Sequence, residues 1–315
     1  MILVWGLPRD GPVRAVLDEL AARGARVAFL DQHDALLAEL ELECGANTAG
    51  RLLLAEGEEI DMADVRAAYL RPDDARLLPA VERARQAGGD WERAVALQDA
   101  LLAWADVTPA LVASRPSAMA SNSSKPYQAA LLRKLGFRVP ETLVTTDPAA
   151  ARAFWHRHGD VIYKSVSGVR SIVTRLGEDH VARLDDVAHC PTQFQRWIPG
   201  VDYRVHVVGG EVFACTVHCE ADDYRYAAAG GHTMDVAACA LPADLVSRCR
   251  EAAHALGLPV AGIDLRRTPD GEWLCFEMNP SPGFTYYDDV HDGAIAQAVA
   301  GLLEAADRGA TRPAS

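Results

Sequence analysis

The 315-residue sequence predicts an α/β layer domain that leads into a strand-rich α+β region. Three observations carry this. Residues 2–6 read as a buried strand. Val13, Val16, Leu17, Leu20 and Ala21 then recur at helical spacing up to Gly24, and 27–30 is a second strand, which completes a βαβ unit. In the C-terminal third, alternating strands meet at Gly209-Gly210, and a further pair meets at Pro269-Asp270-Gly271; both are hairpin signals.

The remaining elements follow in order. Short strands are expected near 36–42, 52–54 and 65–70, helices near 75–86 and 91–105, and a strand at 110–113. The stretch 115–124 is polar and turn-rich and marks a domain boundary. Beyond it a helix over 126–135 ends at Gly136, and a strand covers 141–145. Asp147 is placed to cap the next helix, with Pro148 at its first position and Gly159 past its end. Strands at 160–166 and 171–176 flank a short loop, 167–170. Strands at 193–198, 203–208 and 212–219 come next, then a polar loop from Glu220 to about Ala240. Helices over 243–256 and 293–306 close the fold, and 308–315 reads as a frayed tail.

Composition narrows the function. The formal charge is −13, from 31 basic and 44 acidic residues, with no long run of like charge. Such a chain repels nucleic acid and anionic membrane, so neither is expected as a partner. Any phosphate site must be made positive by a few placed cations. The seven cysteines are scattered with no CxxC pair, which fits a reducing compartment. Cys215, His218 and Cys219 lie close in sequence, but on one strand His218 would point away from the two thiols. The first six residues lack a basic region and a cleavage site, and no apolar stretch is long enough to span a membrane. A cytoplasmic protein is expected. There is no GxGxxG after the first strand, no Walker-type loop, no GxSxG and no HExxH.

The strongest chemical signal runs from Gly262 to Pro280. Gly262, Asp264 and Arg266 share one face of a strand; Glu277 and Asn279 share a face of the next, with Phe276 and Met278 opposite. A two- or four-residue loop puts Asp264 directly across from Glu277, with Cβ atoms about 5 Å apart. A three-residue loop does so only with a bulge. Opposed carboxylates repel unless a cation lies between them, and with the Asn279 oxygen they suit Mg²⁺ bound alongside phosphates. Pairing of each carboxylate with Arg204 or Arg266 is the purely structural alternative.

Lys164 stands in the apolar run Val161-Ile-Tyr-Lys-Ser-Val and needs an anionic partner or a route to solvent. Lys125 lies at a helix start, a ready phosphate site. In Gln193-Phe-Gln195-Arg196-Trp197-Ile198-Pro-Gly-Val-Asp202-Tyr-Arg204, Pro199 and Gly200 break the strand and free backbone groups near Arg196 and Ile198 that can meet a flat heterocycle. Asp202 could bind a ribose, and Arg204 phosphates or a substrate carboxylate; a structural Asp–Arg pair is the alternative. Single histidines such as His206 read as surface or hydrogen-bonded groups.

Taken in order, these pieces resemble the ATP-grasp superfamily from about Ser114 to Leu303. The two lysines match Lys125 and Lys164. The adenine hinge matches Gln195-Arg196-Trp197-Ile198, the ribose acid Asp202, and the metal triad Asp264, Glu277 and Asn279. Val139-Pro-Glu-Thr-Leu-Val-Thr-Thr-Asp-Pro148, Asp202-Tyr-Arg204, Asp264-Leu-Arg266, Asn279-Pro-Ser-Pro-Gly-Phe284 and Tyr69-Leu-Arg-Pro72 are similar to the graspetide (microviridin-type) peptide ligases, and the chain is also similar to RimK-like ligases. Two features depart from that pattern: loop 167–170 is short for a lid, and Glu220-Ala-Asp-Asp-Tyr-Arg-Tyr226 is distinctive.

The resemblance implies an N-terminal α/β domain (1–115) and an ATP-grasp fold whose central lobe (116–190) and C-terminal lobe (191–307) hold ATP between antiparallel sheets. It implies ATP and one or two Mg²⁺ ions as cofactors. Arg204 and Lys164 are then the catalytic candidates, acting on an acyl phosphate formed from a carboxylate substrate. The acceptor is an amine or hydroxyl, the substrate class a ribosomal precursor peptide, and a homodimer is compatible. The alternatives are a ligase of free amino acids or small acids, and a non-catalytic nucleotide-binding scaffold.

Overall fold

The computed structural model describes residues 1–44, 48–166, 173–219 and 233–309. The short loop at 167–170, the distinctive segment 220–226 and the end of the tail lie outside the described residues.

The chain opens with β1 (Ile2–Gly6), α1 (Gly11–Ala22) and β2 (Val27–Asp31), the expected βαβ unit. A small antiparallel sheet follows: β3 (Glu39–Cys44), β4 (Thr48–Leu53) and β5 (Glu59–Asp61). Then come β6 (Ala67–Arg71), α2 (Pro79–Gln86), α3 (Glu92–Val107) and β7 (Leu111–Ala113). The parallel sheet has the order β2-β1-β6-β7. Alternate residues of β1 feed two cores: Leu3 and Trp5 pack with α3, while Ile2 and Val4 pack with α1. A strand buried on both faces has no polar alternation, which is why it reads as a continuous apolar run.

α4 (Pro116–Met119), α5 (Lys125–Lys134), β8 (Thr142–Thr145), α6 (Pro148–His158), β9 (Val161–Ser165), β10 (Thr174–Arg175), α7 (Glu178–Val181) and β11 (Thr192–Arg196) come next. The Asp147 carboxylate accepts from the Ala149 amide at 2.8 Å, and Gly159 ends α6 at φ +69°, as the capping pattern predicts. The antiparallel sheet has the order β10-β9-β11-β8. β11 hydrogen-bonds with both β8 and β9, so this lobe runs through Arg196 and not to 190, where the expected boundary fell. Leu143, Val161, Tyr163 and Phe194 turn one face of the sheet onto α6.

The last lobe contains β12 (Val201–Val208), β13 (Glu211–Cys219), β14 (Met234–Ala238), α8 (Ala243–Ala255), β15 (Val260–Arg267), β16 (Trp273–Asn279), α9 (Thr285–Asp288) and α10 (Ala294–Asp307). Its sheet has the order β14-β13-β12-β15-β16. β14 lies in a stretch expected to be loop; pairing with β13 makes it a strand despite its weak alternation. Two further expectations give way to packing. α5, assigned to the central lobe, places Leu132 against Val205, Ile263 and Met278 of this last sheet. α10 packs beside α1 over the first sheet, so the chain's end closes the core that its beginning opened. Among the described residues, no helix is long and apolar enough to cross a membrane.

Candidate active site

Register decides which side chains meet. β12, β15 and β16 run antiparallel side by side, pairing Asp202 with Arg266, Arg204 with Asp264, His206 with Gly262, Asp264 with Glu277 and Gly262 with Asn279. Directly paired residues share a sheet face. Ile263, Leu265, Cys275 and Met278 occupy the other face and pack onto α5 and α8. One side of this sheet is therefore apolar and covered, and the other carries the polar groups.

The turn between β15 and β16 spans Pro269-Asp270-Gly271, with Gly271 at φ +87°. Below Asp264 the register slips by one residue: Leu265 pairs with Cys275, Arg266 with Leu274, and Phe276 has no paired position. This is the three-residue loop whose bulge restores the Asp264–Glu277 alignment. The bulge also corrects the expectation for Phe276. Its ring lies 5.2 Å from the Arg266 guanidinium, on the polar side and not with Met278.

The arginines form a structural frame around the carboxylates. Arg204 donates from Nη1 to Asp264 Oδ1 at 2.6 Å, with side chains only 7% and 14% exposed. Its guanidinium rests on Gly262: a Cβ there would lie 2.8 Å from the Arg204 Cζ and 2.6 Å from Pro282. Arg266 grips Asp202 with two bonds of 2.7 Å and donates to the Ile198 carbonyl at 2.8 Å. Both structural pairings are therefore present, and any ligand role of Asp264 or Asp202 is shared with an arginine. Asp264, Glu277 and Asn279 offer only hard oxygen donors, the set that suits Mg²⁺. Among the described residues, no group of three or more His, Cys, Asp or Glu forms a separate metal cluster.

The segment after Glu277 is pinned from several directions. Gln128 donates to the Met278 carbonyl at 2.8 Å and accepts from its amide at 3.2 Å. Asn279 Oδ1 accepts from the Ser281 amide at 3.0 Å. Arg71 donates to Ser281 Oγ at 2.8 Å and to the Pro282 carbonyl at 3.0 Å, while its other nitrogens hold both oxygens of Asp10. The first domain thus holds the loop that follows the carboxylate strand.

His206 is fully buried, contrary to the surface reading. Burial, reinforced by the neighbouring Arg204 charge, pushes its pKa well below 6.5. It lies on the polar face with its ring 5.3 Å from that of Tyr287, and among the described residues its Nδ1 has no hydrogen-bond partner. On the next strand, the Cys215 thiol is 3.2 Å from His291 Nε2 and is pushed up to about 12 by burial, so it is a neutral partner and not a nucleophile.

Lys164 belongs to the other lobe. Its position pairs with Gln193, and Gln195 pairs with Ile162, all on the face turned away from the α6 core. Gln193 and Gln195 are buried, and among the described residues each leaves its Oε1 without a hydrogen-bond partner. Gln195 also donates to Thr142 at 3.0 Å. At the hinge, the Arg196 amide is taken by the Glu141 carbonyl and the Trp197 amide by the Asp160 carbonyl. The expectation of a free backbone group at Arg196 therefore does not hold for its N–H, because the segment leading into β8 reaches it first. Among the described residues, no backbone carbonyl accepts from the Ile198 amide. The Trp197 ring is covered by the Arg175 guanidinium at 3.9 Å. Lys125 is the first residue of α5, beside β16. Sequence reasoning missed Gln128 and the seat that Gly262 makes for Arg204; an apolar-spaced glutamine inside a helix was the signal for the first.

Two lobes with antiparallel sheets, joined by a hinge and presenting paired carboxylates and lysines, define an ATP-grasp protein. An ATP-grasp domain family, the third of its clade, matches residues 113–299, and the chain belongs to that family. The whole chain is similar to the ATP-grasp ligase PsnB, complexed with a phosphomimetic variant of a minimal precursor, Mg and ADP. The two are 26% identical with a TM-score of 0.79, over 97% of this chain and 98% of that one. The fold is shared with the RiPP-associated ATP-grasp ligase of Chryseobacterium gregarium, at 22% identity and TM-score 0.80 over 96% of each chain. Human beta-citrylglutamate synthase B is 30% identical over 156 residues, a match spanning 45% of this chain and 40% of that protein's length.

Proposed function

We propose that this protein is a cytoplasmic ATP- and Mg²⁺-dependent ligase that activates a carboxylate of a peptide and joins it to an amine or hydroxyl. The observation that carries the reading is the register pairing of Asp264 with Glu277, with Asn279 one same-face step along, on an ATP-grasp scaffold. Full-length likeness to PsnB, which was captured with a precursor variant, Mg and ADP, favours the peptide substrate.

Asp264, Glu277 and Asn279 would hold Mg²⁺, which neutralises charge on the nucleotide phosphates when bound. Lys125 and Lys164 add positive charge there. The Ile198 amide and the Gln195 side chain meet the base, and Asp202, fixed by Arg266, meets the ribose. Arg204 keeps part of its guanidinium fork on Asp264 and offers the rest to the reacting carboxylate. That carboxylate attacks the γ-phosphorus and releases ADP; the amine or hydroxyl then attacks the acyl carbon and releases phosphate. Catalysis here is positioning plus charge stabilisation, with no covalent enzyme nucleophile.

A second reading, ligation of free small acids, is supported by the likeness to beta-citrylglutamate synthase B. The test is ADP release measured with acidic precursor-type peptides, with and without a leader, against a panel of free acids including citrate and glutamate. Leader-dependent turnover with loss of one water from the peptide supports the first reading. Turnover on free acids alone supports the second. ADP release indifferent to every carboxylate, or none at all, overturns both.

A further inference from the structure

We propose that Gln128 is a positioning residue that couples the Lys125 helix to the strand bearing Glu277 and Asn279, so that the phosphate-binding and metal-binding groups are set as one unit. The inference rests on the ligase reading and deepens it.

β16 is the edge strand of its sheet. Antiparallel pairing turns alternate residues' backbone groups away from the neighbouring strand, and at an edge those groups have no strand to meet. Met278, the residue between Glu277 and Asn279, is in this position. The Gln128 amide satisfies both its carbonyl and its N–H, acting as a one-residue substitute for a missing strand. Gln128 is 3% exposed, so water does not compete for these bonds. Further along the same edge the backbone of Arg138 takes over, accepting from the Cys275 amide at 2.8 Å. Between the two lies the unpaired Phe276, where the ladder is weakest.

Lys125 and Gln128 are three residues apart on α5 and so lie on neighbouring positions of one helix face. A two-bond clamp at Gln128 fixes both the height and the rotation of α5 relative to β16. Lys125 is thereby set at a defined distance from the carboxylates. Leu132, one turn further on, buries its side chain in the core beneath the sheet and holds the helix by packing alone. Packing allows sliding; a pair of hydrogen bonds to one peptide unit does not.

The test compares Gln128→Met, which keeps length and volume but removes both bonds, with Leu132→Ala, which loosens the same helix and spares the clamp. ATP binding to the full chain is measured by calorimetry across a Mg²⁺ titration, alongside melting temperature. Gln128→Met is expected to weaken Mg²⁺-dependent ATP binding about 10-fold, the low end for loss of an outer partner of metal ligands. Its binding without Mg²⁺ should stay near wild type. Leu132→Ala should melt earlier and bind MgATP as wild type does. Binding by Gln128→Met within two-fold of wild type overturns the proposal, and so does an equal binding loss in Leu132→Ala. A wild-type chain that binds no MgATP fails the ligase reading itself and takes this inference with it.

Discussion

Arg204 and Asp264 sit directly opposite each other on β12 and β15 and close to 2.6 Å, so the arginine candidate and the first metal candidate are already one ion pair. This coupling separates two substitutions that look alike in sequence.

Asp264→Asn removes the carboxylate charge that Arg204 now holds at a site where both side chains are largely buried. Breaking a buried pair outright costs about 3–5 kcal/mol. An amide still accepts one hydrogen bond, so a loss of about 1–3 kcal/mol is expected, together with most turnover. Glu277→Gln should lose turnover with a much smaller change in melting temperature. Paired melting curves and ADP-release assays check this, and equal melting shifts in the two variants would contradict it.

Gly262→Ala should disable the site without touching any charged group. The added methyl meets the Arg204 guanidinium and Pro282 inside contact distance. Overpacking of this kind costs about 1–3 kcal/mol, and the displaced guanidinium leaves Asp264. The expected readout is a lower melting temperature with kcat reduced more than KM for ATP is raised. Normal activity would show that Arg204 can be moved freely.

Burial first, and then the Arg204 charge, depress the His206 pKa well below 6.5; burial depresses that of His291 too. Below pH 6.5 the unfolded chain takes up protons that the folded chain refuses, so stability is fully present above that pH and falls as the solution is acidified. The slope is about 1.4 kcal/mol per pH unit for each such group. Melting temperatures from pH 7.5 down to 5 should show this fall, and His206→Phe should flatten part of it. An unchanged slope in the variant would remove His206 as a source.

Arg266→Lys keeps the charge and loses the fork that holds both Asp202 oxygens and the Ile198 carbonyl. A charged hydrogen bond contributes about 1.5–3 kcal/mol. KM for ATP should rise roughly ten-fold or more, with kcat less affected, because this pair steadies the hinge and not the reacting atoms. A kcat effect with unchanged KM would place Arg266 elsewhere in the reaction.

Much of this was legible in the sequence because it is local. The βαβ opening, the cap at Asp147 and the Gly209-Gly210 turn depend on a few consecutive residues, and so does the face shared by Glu277 and Asn279. The Asp264–Glu277 pairing followed from loop arithmetic once a bulge was allowed.

Which groups meet across the chain was decided only by the tertiary structure. Arg204 took Asp264 and Arg266 took Asp202 because β12 lies beside β15, an adjacency that hydrophobic periodicity does not encode. The Glu141 carbonyl claimed the Arg196 amide, β13 made a strand of β14, α10 returned to the first sheet, and Gln128 closed the open edge of β16. In each case a backbone or charged group was satisfied by a partner distant in sequence. Local pattern shows that such a group needs a partner, and the packing of the sheets decides which one it finds.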